Sequence, residues 1–124
     1  MASETSAGAA FAHALAAKDF ARLRELLDPD VDFRGLTPSR PWEASSADVV
    51  IADILQRWFE PEDEVEAVES IETGAFADRE RVGYRFRVSN PSGRFVVEQQ
   101  AYLTQVEGRI AWMRIVCSGF RPVA

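Results

Sequence analysis

Proton transfer near neutral pH falls most readily to histidine, and this 124-residue chain holds one, His13, together with a single cysteine, Cys117. At about 100° per residue, His13 lies opposite Phe11 and Leu15 on an alanine-rich helix, so it is expected to face water. Cys117 has no evident histidine partner and reads as a packed thiol more readily than as a nucleophile. One histidine and one cysteine cannot furnish the usual zinc or non-haem iron sites, so neither a metal nor a cofactor is expected. The carboxylates left for acid–base work are Asp32, which alternates with Val31 and Phe33 beside Asp30, and Glu98, embedded in Phe95-Val96-Val97-Glu98-Gln99-Gln100. Either would need a pocket that tunes its pKa. Arg85, expected opposite Glu98, makes a structural ion pair the favoured reading of that acid.

Composition narrows the setting. With 47% hydrophobic and 27% charged residues, the chain reads as one globular domain over residues 1–124. No stretch reaches the roughly 20 apolar residues of a membrane span, and the start lacks the basic residues of a signal peptide, so a cytoplasmic protein is expected. The net charge of -6 is local: Glu60, Glu62, Asp63, Glu64, Glu66, Glu69 and Glu72 lie in a stretch without any basic residue, and without these seven the balance would be +1. Such a run reads as a solvated edge. The arginines at 79, 81, 85, 87 and 94 alternate with other residues instead of clustering, which argues against nucleic-acid binding.

The elements that must position these residues follow from periodicity and punctuation. Residues 4–17 read as a helix with Gly8, Phe11, Ala12 and Leu15 on one side, and Asp19 caps a second, short helix carrying Phe20, Leu23, Leu26 and Leu27. A short strand is expected over 31–34, then a loop punctuated by Gly35, Pro38 and Pro41. A third helix starts near Ser45 or Ser46, buries Val50, Ile51, Ile54, Leu55, Trp58 and Phe59, and stops at Pro61. Strands are expected over roughly 64–73, 76–89, 94–106 and 109–118, divided by Gly74, Asn90-Pro91-Ser92-Gly93 and Glu107-Gly108.

Turn geometry then assigns faces. Pairing Ser89 with Arg94 sets Tyr84 opposite Gln99 and Arg85 opposite Glu98; a two-residue turn at Glu107-Gly108 sets Ala101 opposite Arg114. On this register Tyr84, Gln99 and Arg114 converge on an otherwise apolar inner face. They either satisfy one another or hold a carbonyl or carboxylate of a ligand, with Trp42 and Trp58 as candidate walls. The other face mixes Arg81, Arg85, Arg87, Glu98, Gln100 and Tyr102 with Met113, Ile115 and Cys117, a mixture explained by burial against a second copy of the chain.

The order helix, helix, strand, helix and antiparallel meander is α+β. The Ala-Lys-Asp-Phe break after the first helix, the Leu27-Asp28-Pro29-Asp30-Val31-Asp32-Phe33 passage and the Glu107-Gly108-Arg109-Ile110 turn resemble the nuclear transport factor 2-like superfamily, especially its SnoaL-like bacterial branch. The resemblance implies a cone-shaped, cystatin-like α+β fold with helices packed on a curved antiparallel sheet, a pocket between them, and often a homodimer. Ketosteroid isomerases of this kind use a tyrosine, a strand aspartic acid and a carboxylate base; the nearest positions here hold Phe11, Gln99 or Gln100, and Gly35. The Asp-Arg-Asp arrangement of limonene-epoxide-hydrolase relatives is not evident, with Arg114 available but its carboxylate partners unplaced. Three readings stay open. One is a homodimer, joined through the outer sheet face, that binds a small apolar ligand. Another is a cofactor-independent cyclase, isomerase or dehydratase using Asp32 or Glu98. The third is a dimeric scaffold with a closed core.

Overall fold

The computed structural model describes residues 6–123. Helix α1, Ala7–Ala16, begins where the Ser6 hydroxyl accepts from the Ala9 N–H at 3.0 Å; the first residues of the expected helix, 4 and 5, lie outside the described part. It buries Gly8, Phe11, Ala12, Ala14 and Leu15, and His13 is exposed as its position on the helix requires. Asp19 caps α2, Phe20–Leu26, by accepting from the Arg22 N–H at 3.0 Å. Lys18 adopts a left-handed φ of 54° at the corner between the two helices. Its ammonium donates to the carbonyls of Glu60 and Asp63, tying that corner to the chain beyond the third helix.

That helix, α3, spans residues 47–58, capped by Ser46, whose hydroxyl accepts from the Val49 N–H at 3.2 Å. Its middle, Val50–Leu55, is a π-helix, so the turns there are wider than α-helical ones. Val50, Ile51, Ile54, Leu55 and Trp58 are buried, the face expected from their spacing.

Among the described residues seven strands form one sheet: β1 Leu27–Leu36, β2 Pro41–Ala44, β3 Glu64–Phe76, β4 Arg79–Asn90, β5 Gly93–Val106, β6 Arg109–Cys117 and β7 Arg121–Pro122. The spatial order is β2-β1-β6-β5-β4-β3, with β7 paired to β5; β1 and β6 run parallel and the other neighbours antiparallel. Strand β1 begins directly after α2, earlier than periodicity suggests, and β2 occupies what reads as loop. The β3–β4 turn falls at Ala77-Asp78 instead of Gly74, which lies inside β3; Ala77 carries the left-handed φ of 55°.

Helix α1 packs on β3, β4 and β5. Gly8 permits the approach, because a Cβ there would sit 2.7 Å from Val82 Cβ. One core of buried side chains runs between the helices and the inner face of the sheet. No helix among the described residues is long and apolar enough to cross a membrane.

Candidate functional site

The β4–β5 register places Tyr84 opposite Gln99, Arg85 opposite Glu98 and Phe86 opposite Val97, as the Asn90–Gly93 turn dictates. Tyr84 and Gln99 are each 3% exposed, and the Tyr84 hydroxyl donates to Gln99 Oε1 at 2.5 Å. Burial, reinforced by the neighbouring Cys117, holds the Tyr84 hydroxyl well above its ordinary pKa, so it is a firmly protonated donor. Its ring stacks on Phe86 at 4.9 Å between centroids, and Phe86 in turn meets Phe59 at the end of α3 at 6.2 Å.

Arg114 does not join this pair. The Glu107-Gly108 turn is the expected two-residue turn, with φ of 53° and 82° and Val106 opposite Arg109. Immediately beyond it, Gln105 pairs with Ile110 but Thr104 pairs with Trp112, so Ala111 is an extra residue on β6. This β-bulge exchanges the faces of the rest of the strand. Met113, Ile115 and Cys117 therefore turn inward and are buried, while Trp112, Arg114 and Val116 turn outward. Arg114 stacks over Trp112 at 4.4 Å, donates to the Asp32 carbonyl at 3.0 Å and pairs with the Asp32 carboxylate at 3.2 Å.

The two candidate acids share that outer side. Asp32 is 57% exposed at its side chain, and its pairing with Arg114 supplies the carboxylate partner that spacing alone did not locate, but on the outer surface. Glu98 is 47% exposed and faces Arg85 at 3.4 Å. Arg85 and Arg87 both hydrogen-bond Glu69, which lowers the Glu69 pKa and raises that of Arg85.

Trp42 and Trp58 gather on the inner side. Trp58 lies over Gly35, where a Cβ would meet its Cη2 at 2.9 Å, and contacts Phe33 and Trp42 with ring centroids 6.2 and 6.1 Å apart. Trp42 is half-buried, donates its indole N–H to Thr37 Oγ1 at 3.0 Å and carries the Arg40 guanidinium over its ring. Ile115, 3.3 Å from the same Gly35 Cβ position, is one diagonal step from Gln99 on the sheet.

Two buried side-chain atoms in this region have no hydrogen-bond partner: Trp58 Nε1 and Gln99 Nε2. Both are donors. An unpaired buried donor is costly, and native structures contain few of them. Asp63, also buried, is satisfied, accepting from the Glu60 N–H and from Asn90 Nδ2, both at 2.9 Å. No cluster of metal-ligating side chains occurs among the described residues.

Two surface depressions bear on these placements. A groove of about 530 Å³ crosses the outer face, bordered by Arg81, Arg85, Glu98, Gln100, Tyr102 and Val116, with the side-chain-free Gly83 among its lining residues. A smaller one, about 330 Å³, lies beside Trp42 and reaches Ile54 of α3, with Arg40, Glu43, Asp53 and Arg57 around it.

No protein-family model matches the sequence, and no curated protein is similar to it in sequence. Solved structures do match. An NTF2-like protein from Burkholderia thailandensis is 17% identical, with a TM-score of 0.64 over 90% of this chain and 88% of that one. A limonene-epoxide-hydrolase-like epoxide hydrolase from M. tuberculosis is 18% identical, with a TM-score of 0.64 over 90% and 80%. An NTF2-like protein of unknown function from Cytophaga hutchinsonii is 14% identical, with a TM-score of 0.58 over 95% of both chains. The element order, the curved sheet and these likenesses agree: the chain has the α+β nuclear transport factor 2-like fold.

Proposed function

We propose that the chain binds a small apolar ligand bearing a carbonyl oxygen, between α3 and the inner face of the sheet, and acts as a homodimer. The observation that carries the ligand reading is the pair of unpartnered donors, Gln99 Nε2 and Trp58 Nε1, set among hydrocarbon and aromatic side chains. Tyr84 holds Gln99 in place, and Trp42 stands between the surface and Trp58. The depression beside Trp42 is the natural approach.

Acid–base catalysis is the weaker reading. Asp32 and Glu98 both face outward in ion pairs, and His13 is exposed, so none adjoins the two donors.

Dimerisation is supported by the outer face. Leu36 and Val116 adjoin across β1 and β6 and are 51% and 53% exposed, and the groove beside them carries both arginines and glutamates, a pattern that can complement itself across a two-fold axis. Native mass spectrometry of gently purified protein, followed by thermal-shift measurements with small ketones and esters, tests both parts. A doubled mass and a rise in Tm that Gln99→Leu abolishes are expected. A ligand response unchanged in Gln99→Leu refutes the site, and a monomer at micromolar concentration refutes the dimer.

A further inference from the structure

The arginines of β4 alternate along the sequence, but the fold stands two of them beside a third. Arg85 and Arg87 point to the outer face from β4, Val96 of β5 lies opposite Arg87, and β7 sets Arg121 opposite Val96 from the other side. With neighbouring strands about 4.8 Å apart, the backbones of Arg87 and Arg121 stand roughly 10 Å apart across Val96. A depression of about 330 Å³ opens there, lined by Arg85, Arg87, Val96, Arg121, Pro122 and Val123, with no acidic residue in its lining. In a chain whose net charge is -6, this cleft is a local reversal of sign. Two of its arginines are fixed in direction. Glu69 is an extra residue on β3, between the pairs Val68–Phe86 and Ser70–Arg85. From that bulge its carboxylate accepts from Arg85 Nε at 2.7 Å and from Arg87 Nε and Nη2 at 3.0 and 2.7 Å. Arg85 Nη1 reaches Glu98 at 3.4 Å. Among the described residues, Arg85 Nη2 and Arg87 Nη1 have no protein acceptor and Arg121 forms no ion pair.

We propose that this cleft binds the terminal phosphate of a small organic phosphomonoester, with the oxyanion over Val96 between Arg87 and Arg121 and the carbon skeleton against Pro122 and Val123. A phosphomonoester carries a charge of about -1.5 to -2 near neutral pH and presents three acceptor oxygens, which serve several guanidinium groups at once. Arg94, two residues before Val96 on the same outward row, brings the local count to four arginines against Glu69 and Glu98, a balance that a dianion neutralises. Glu69 is a positioning residue in this scheme, since it holds the Arg85 and Arg87 forks side by side. The site is independent of the interior reading above. It lies on the opposite face of the sheet, and Val96 is roughly 13 Å along β5 from Gln100, the partner of the exposed Val116.

The test uses phenyl phosphate, phenyl sulfate and inorganic phosphate as probes, with binding followed by calorimetry at about pH 7.5, where the phosphomonoester is a dianion, in a phosphate-free buffer of low ionic strength. Phenyl phosphate is expected to bind most tightly, phenyl sulfate more weakly for want of the second charge, and inorganic phosphate more weakly for want of the apolar contact. Arg121→Gln should weaken phenyl phosphate roughly tenfold or more. Arg87→Lys, which keeps the charge but loses the fork, should also weaken it. Arg109→Gln, exposed at the other end of β5, should leave it unchanged. Should Arg121→Gln fail to fold, magnetic resonance of the arginine Nε–Hε groups in the original protein answers the same question: phenyl phosphate should shift the signals of Arg87 and Arg121 and not that of Arg109. Equal losses in Arg121→Gln and Arg109→Gln mean diffuse attraction and overturn the proposal, as does the absence of phenyl phosphate binding. Equal affinity for phenyl sulfate overturns the assignment to phosphate, and equal affinity for inorganic phosphate overturns the assignment to an organic ester.

Discussion

Gly35→Ala places a methyl group in a space already filled. The new Cβ would stand 2.9 Å from Trp58 Cη2, 3.1 Å from Cζ2 and 3.3 Å from Ile115 Cγ2. Carbon atoms ordinarily meet at about 3.5–4.0 Å, so the indole must retreat by roughly half an ångström or more. It has little room, because Phe33 and Trp42 hold it on other sides. Overpacking of this kind costs about 1–3 kcal/mol. Gly35 does not have a left-handed φ, so alanine also restricts the unfolded chain, which returns about 0.4–1 kcal/mol. The balance is a loss of about 0–2.6 kcal/mol, read as a lower urea midpoint by far-ultraviolet circular dichroism. In a Trp58→Phe background the clashing ring atoms are gone, and the same glycine substitution should be neutral or stabilising by up to about 1 kcal/mol. Such a change of sign is the signature of direct coupling in a double-mutant cycle. An equal loss in both backgrounds, or a gain in the original protein, refutes the placement of Trp58 over Gly35.

Two further outcomes concern the buried pair on β4 and β5. Tyr84→Phe alone should destabilise by about 1–3 kcal/mol by leaving Gln99 Oε1 unpaired, whereas Tyr84→Phe with Gln99→Leu removes every polar atom of the pair and should be at least as stable as the original; chemical denaturation distinguishes these. The Tyr84 pKa is raised in the folded protein, so between about pH 10, where an unfolded tyrosine ionises, and the higher folded value the folded state keeps a proton that the unfolded state has lost. Stability should therefore fall as pH rises above about 10, and denaturation midpoints in Tyr84→Phe should fall less steeply over that range; equal slopes would show that the hydroxyl is not buried.

Much of the sheet was legible because its turns were. Asn90-Pro91-Ser92-Gly93 fixes Tyr84 opposite Gln99, and the apolar spacing of α3 gives its buried face. What stayed hidden has physical causes. The bulge at Ala111 carries no glycine or proline, and alternation of apolar and polar residues does not reveal a single extra residue, so Trp112, Arg114 and Val116 read as inner while Met113, Ile115 and Cys117 read as outer. Strand β2 lies between Pro38 and the π-containing helix, where prolines favour a loop reading, yet it pairs through Gly35 and Trp42. Cys117, read as a packed thiol, is buried on the face opposite to the one expected. The shortage of hydrogen-bond partners at Trp58 has no signal in sequence at all, since it depends on what the folded chain fails to bring near the indole.

The extra residue at Ala111 also bears on how such a protein changes. Most substitutions on β6 alter one side chain in place, but loss of this one alanine would rotate the following six residues together, sending Arg114 toward Gln99 and the cysteine toward water. A neutral interior would become a cationic one in a single heritable step, with Asp32 left behind on the surface. Chains that share this scaffold can thus differ in interior charge through length rather than through residue identity, and position-by-position alignment of β6 would compare side chains that occupy opposite sides of the sheet.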